Sequence, residues 1–156
     1  MTLSRMTRTL LCSVALISAL GPLSSLSATP AAEALLDAID VFLSPQNMKA
    51  AGLSAERAEE LLRDLKQRRY RRVRALGALS ILAPERALQL LPQLLLEDQD
   101  SELRAQSAIH LARVFYRDHP AQVQGALERA LKTHSGDQRL CELMRLELKR
   151  AQEQQR

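Results

Sequence analysis

Leu91-Pro92-Gln93-Leu94-Leu95-Leu96-Glu97-Asp98-Gln99-Asp100-Ser101-Glu102-Leu103-Arg104-Ala105-Gln106-Ser107-Ala108-Ile109-His110-Leu111 reads as an apolar helix, an acidic turn and a second, Ala/Leu-lined helix. Val73-Arg74-Ala75 opens a similar helix earlier, and a weaker echo starts at Gln138-Arg139-Leu140. Recurrence at roughly 30 to 36 residues is the signature of stacked helix pairs, none of which can bury its apolar face alone. The fold expected is all-α, a short solenoid of about three antiparallel helix pairs. Such arrays usually act as shaped surfaces for partners rather than as catalysts.

Outward from that phrase, the chain divides by composition. Residues 1–27 hold Arg5 and Arg8 but no acid, then an apolar run from Leu10 to Leu20 broken by Gly21-Pro22. A positive start, a short apolar stretch and small residues beyond it predict a secretory signal peptide. The run is too short for a membrane span, which needs about 20 residues. Small residues place cleavage after Ser27 or Ala28, with a second cluster at Ala31-Ala32-Glu33-Ala34. The arginines are not adjacent, as a twin-arginine signal requires, and Leu11 before Cys12 argues against lipidation. The expectation is a protein exported to the periplasm or beyond, without an integral membrane span.

Removing residues 1–27 changes 22 basic against 18 acidic residues to 20 against 18, so the exported chain carries a formal charge of only +2. General polyanion binding loses most of its support. Leu and Ala dominate the apolar content, while Phe42, Tyr70, Phe115 and Tyr116 are the only aromatics, a balance that favours helix over sheet. Cys12 leaves with the signal, so Cys141 is either a packed thiol or pairs between chains.

Residues 28–53 read as an N-terminal helix over 32–43, ended by Ser44-Pro45, and a loop over 44–53 containing Asn47 and Gly52. The repeat region spans 54–150. Ser54 is placed to cap its first helix, with Leu61, Leu62 and Leu65 on one face. The next helix, about 69–82, is nearly all apolar from Ala75 to Ala83, as a helix packed between neighbours would be. Pro84 starts a helix, Pro92 predicts a kink near Leu90, and Asp118-His119-Pro120 breaks the chain. A final pair occupies 121–133 and 137–150, and 151–156 is a polar tail.

Leu91 to Leu111 resembles a HEAT repeat: a proline-bearing first helix, an acidic turn, and a hydrophobic-Arg start to the second helix. Asp98 and Arg104 match that family's Asp and Arg, six residues apart. In the family these side chains tend to form ladders between adjacent repeats. The resemblance therefore implies a structural ladder of Asp98, Arg104 and Arg74. Neighbouring repeats depart from it, with Arg68 where Asp is expected before Arg74 and Thr133 before Arg139. Ala108, Leu111, Ala112 and Phe115 also suggest a tetratricopeptide-like array, but Ala130-Leu131 falls one residue out of phase with it.

The sharpest chemical signal is the run Lys66, Arg68, Arg69, Arg71, Arg72 and Arg74 around Tyr70. Cations at a helix N-terminus oppose its dipole, which makes Arg68, Arg69, Arg71 and Arg72 the candidate surface for an anionic partner: an acidic protein, a phosphate-bearing glycan or lipid headgroups. The alternative is a solvated turn and outer helix face. Nucleic acid is a poor candidate, since export separates the protein from it and stacking aromatics are few. Asp98, Asp100 and Glu102 lack the glycine and spacing of a calcium loop. His110, His119 and His134 lie in separate segments without metal-ligand spacing. Cys141 and His134 have no third group to make a nucleophile. No catalytic, metal or cofactor residues are assigned. The function expected is a non-catalytic binding or scaffold module in a bacterial envelope, with docking on a larger partner or homodimerisation completing a short array. The alternatives are an accessory or maturation subunit of an envelope enzyme, or a self-associating structural protein.

Overall fold

A computed structural model describes residues 30–155, and all its regular elements are helical. They are α1 (Pro30–Asp37), α2 (Pro45–Ala50), α3 (Ala55–Arg63), α4 (Arg69–Leu82), α5 (Pro84–Glu97), α6 (Ser101–His110), α7 (Pro120–Thr133) and α8 (Gln138–Glu153). A π-helical turn, Leu111–Phe115, extends α6. The expected signal peptide lies outside the described residues.

Short polar turns set the helix starts. Ser54 Oγ accepts from Arg57 N at 3.1 Å, Asp100 accepts from Glu102 N at 2.9 Å, and Asp137 accepts from Leu140 N at 3.1 Å. Each satisfies a donor that the first helical turn leaves unpaired. Pro84 and Pro120 stand in first turns, where a missing N–H costs nothing. Pro92 lies inside α5, which continues past it to Glu97.

Three consecutive pairs, α3–α4, α5–α6 and α7–α8, stack so that the second helices adjoin, α4 on α6 and α6 on α8. Between layers lie Leu76, Leu79, Leu91, Leu95, Leu103, Leu111, Leu127 and Met144, all essentially inaccessible. Burying a Leu or Met side chain stabilises by about 1.5–3 kcal/mol relative to exposure, so this seam is the main source of cohesion. Helix α4 touches α1, α2, α3, α5 and α6, which accounts for its nearly apolar stretch from Ala75.

Four boundaries differ from expectation. Helix α3 stops at Arg63, so Leu65, placed on its apolar face by the sequence, lies outside it and is exposed. The first helix ends at Asp37 rather than residue 43, because Arg74 Nη2 ties down the carbonyls of Leu35 (3.2 Å) and Val41 (2.6 Å). The expected loop 44–53 contains α2, capped by Ser44 and anchored by fully buried Met48, before Gly52 turns the chain at φ 67°. The expected tail is partly packed. Ala151 is buried, and Gln155 Nε2 donates to the carbonyls of Tyr116 and Arg117 at 3.3 Å.

Candidate functional site

The basic run around Tyr70 is divided by the fold. Arg72 is buried: its Nε donates to Leu62 O at 2.8 Å, and its Nη2 to Asp98 Oδ2 at 2.5 Å. Arg71 grips α1, donating from Nε to Asp37 Oδ1 at 2.9 Å and from Nη1 to Glu33 Oε2 at 3.0 Å, with a further short contact from Nη2 to Asp37. Those hydrogen bonds hold the Asp37 carboxyl below its ordinary pKa and raise that of Arg71. Arg69 is exposed, with Nε 2.7 Å from Asp100 Oδ2, and Arg68 is exposed with no ion pair among the described residues. Three of the four arginines expected to face a partner thus bind the chain to itself, and two of them, Arg71 and Arg72, do so with little of the side chain exposed. Reversing the charge of Arg72 would leave the buried Asp98 carboxylate without its counter-charge.

The Asp–Arg ladder exists in a different register. Arg104 Nη1 donates to the backbone carbonyl of Asp98 at 2.8 Å, not to its carboxylate, and its acidic partner is Asp137, 3.6 Å away. Asp98 instead receives Arg72. Each arginine therefore reaches from its own pair to the turn of the next: Arg72 to Asp98, Arg104 to Asp137. Arg74 is not a rung. Its guanidinium lies 5.9 Å from the Tyr70 ring centroid and caps α1. The sequence signal that could have found this register is the 32-residue recurrence of Arg72 and Arg104.

Stacking α6 on α8 leaves a groove of about 590 Å³ between them, floored by Ala105, Ile109, Leu140, Leu143 and Leu146. Glu102, Asp137, Arg139 and Glu142 stand at one end, where both helices begin. One turn beyond Ile109 and Leu146, Arg113 and Arg150 converge on Glu147. Arg113 donates from Nε (2.6 Å) and Nη2 (2.7 Å), and Arg150 from Nη1 (2.9 Å). The Glu147 side chain is 1% exposed, whereas Arg113 and Arg150 are 58% and 53% exposed. Arg113 holds the Glu147 carboxyl below its ordinary pKa, and Arg150 adds to the effect. None of the three had been singled out by sequence. The available clue was an acid at position 147 in the otherwise apolar inward series Leu140, Met144, Ala151.

The histidines and cysteine have structural surroundings. His110 Nδ1 lies 3.4 Å from Ser80 Oγ, and burial lowers its pKa. His134 Nε2 is 2.9 Å from Leu95 O, while Cys141 Sγ donates to His134 O at 3.2 Å. The thiol thus meets the backbone of His134 and not its imidazole. Among the described residues, no cluster of three or more His, Cys, Asp or Glu could hold a metal ion, and no helix is long and apolar enough to cross a membrane. Comparison of the chain with protein-family models, with curated proteins and with solved structures yields no match.

Proposed function

We propose that this chain is an exported, non-catalytic HEAT-like scaffold that presents its stacked second helices to a protein partner in the bacterial envelope. The α6–α8 groove carries the reading. A groove with a Leu/Ile floor and a charged end is what a partner segment requires: apolar area to bury, and polar groups to orient it. Exposed Arg68 and Arg69 form a second, basic contact at the α3–α4 turn, suited to steering an acidic partner by long-range attraction. Arg71 and Arg72 support that turn from behind.

A photo-crosslinking residue at Leu146, in the groove, and another at exposed Gln89 on α5 test the reading in the native envelope. A discrete heterologous adduct from position 146 and none from 89 is the expected result. Equal adducts from both positions would contradict it, and adducts only with a second copy would replace the scaffold by a self-associating structural protein.

A further inference from the structure

The two ends of the α6–α8 groove differ in a way that gives its occupant a direction. Glu102, Ala105 and Ile109 follow one another at helical spacing along one wall, and Arg139, Leu143 and Leu146 along the other; one turn beyond these walls stand Arg113 and Arg150, which line an adjoining hollow with Glu147. Both walls are second helices of their pairs, so they run the same way and their like ends coincide. The helix-start end offers the carboxylates of Glu102 and Glu142. Arg139 partly offsets them, and Arg104 offsets Asp137. Beyond the far end stand the exposed guanidiniums of Arg113 and Arg150. Arg113 spends Nε and Nη2 on Glu147, and Arg150 spends Nη1. The remaining N–H groups, Arg113 Nη1 and Arg150 Nε and Nη2, have no partner among the described residues. They belong to side chains more than half exposed.

We propose that this groove seats one apolar peptide segment of the protein partner, its carboxylate on Arg113 and Arg150 and its cationic end toward Glu102 and Glu142. The proposal rests on the scaffold reading and names the partner's chemistry.

Stability alone accounts poorly for the far end. A buried ion group is often no more stabilising than apolar residues of similar volume, and the surrounding inward positions on α8 are apolar. What Glu147 does achieve is to fix two guanidiniums before a ligand arrives. Their ordering entropy is then not charged to binding, and planar guanidinium edges match a carboxylate. Arg113 also sits at the centre of the π-helical turn, a geometry rare in helices and frequent at functional sites. From Glu102 to Arg113 the helical rise is ~16 Å at 1.5 Å per residue, which matches about five extended residues at ~3.3 Å each. A second copy is the weaker occupant. Its α8 would itself be a groove wall, and a groove does not fill a groove.

The test titrates the intact, isotopically labelled chain with the peptide Lys-Leu-Ala-Leu-Leu bearing a free C-terminus, with its C-terminal amide, and with an amide extended by Glu. The free acid is expected to shift the methyl signals of Leu143 and Leu146 and the Nε–H signals of Arg113 and Arg150. The plain amide should bind ~10-fold more weakly, having lost a charge-assisted pair. Recovery of affinity by the Glu-extended amide assigns the carboxylate to an acidic side chain; failure to recover assigns it to a chain terminus. Arg150→Gln leaves Glu147 its two bonds from Arg113, so it should fold normally and lose the preference for acid over amide. Equal binding of acid and amide, no binding of either, or a preference that survives Arg150→Gln would overturn the proposal. A heterologous adduct at position 146 together with equal binding of acid and amide would leave the scaffold reading standing while removing this carboxylate seat.

Discussion

Arg72 and Arg150 both donate to carboxylates that are almost wholly buried, Asp98 at 3% and Glu147 at 1% exposure, yet the two regions put the pairing to opposite use. At the α4–α6 seam the arginine is buried with its acid, 5% exposed, and Nε is taken by Leu62 O. Nothing of that guanidinium's edge remains for a visitor. At the α6–α8 seam the acid is buried and the arginines are half in solvent. Burial of the base, rather than of the acid, separates a strut within the stack from a group that can meet a partner. The contrast also explains why a run of arginines misleads as a binding signal. Its members differ by only one or two positions, yet helix geometry turns Arg72 inward and leaves Arg68 and Arg69 outside.

The comparison breaks most decisively at Asp98. Asp98→Ala leaves Arg72 buried without its counter-charge, and loss of one partner of a buried pair costs about 3–5 kcal/mol. Urea denaturation should record a loss of that size, and Arg72→Met with Asp98→Leu should restore much of it. A loss below about 1 kcal/mol would mean that Arg72 finds water and the seam is not dry.

Glu147→Gln gives the next effect, about 1–2 kcal/mol at neutral pH, since hydrogen bonds to a charged group are lost but both arginines remain solvated. Its pH dependence has a definite sign. The folded-state pKa of Glu147 is lowered, so the stability it contributes is present above the ordinary glutamate value and is lost as pH falls through the folded value. Thermal melts from neutral pH into the acid range should therefore fall less steeply in Glu147→Gln than in the parent chain. Identical slopes would remove Glu147 from the account.

The smallest effect belongs to the second rung. Arg104 and Asp137 stand 3.6 Å apart and are partly exposed, so a double-mutant cycle of Arg104→Gln and Asp137→Asn should give a coupling near 0.5 kcal/mol. Asp98→Asn with Arg104→Gln should couple less strongly than Asp98→Asn with Arg72→Gln, because Arg104 meets only the backbone of Asp98.

The stacked helical architecture was legible because its signals are local. The Leu/Ala periodicity, the Ser54 cap, the first-turn Pro84 and the acidic turn each act within a few residues of themselves. The all-apolar stretch from Ala75 announced a helix enclosed by neighbours, and α4 is one. Helix α2 was missed because a six-residue element is held by tertiary contact at Met48 more than by its own propensity. The ladder register was misread because spacing within one repeat suggested Asp98 with Arg104, while the carboxylate partners lie one repeat apart. Glu147 was invisible for the same reason: its importance comes from Arg113, 34 residues away in sequence.

The contrast between the two seams is tested most directly by hydrogen exchange of the arginine Nε–H groups, followed by NMR on one sample. Arg72 Nε–H donates to Leu62 O inside the stack and should exchange slowly, whereas Arg150 Nε–H, left unpaired at the groove's end, should exchange at nearly the rate of free arginine. Equal exchange at the two positions would contradict the account, because strut and handle would then be equally open to water.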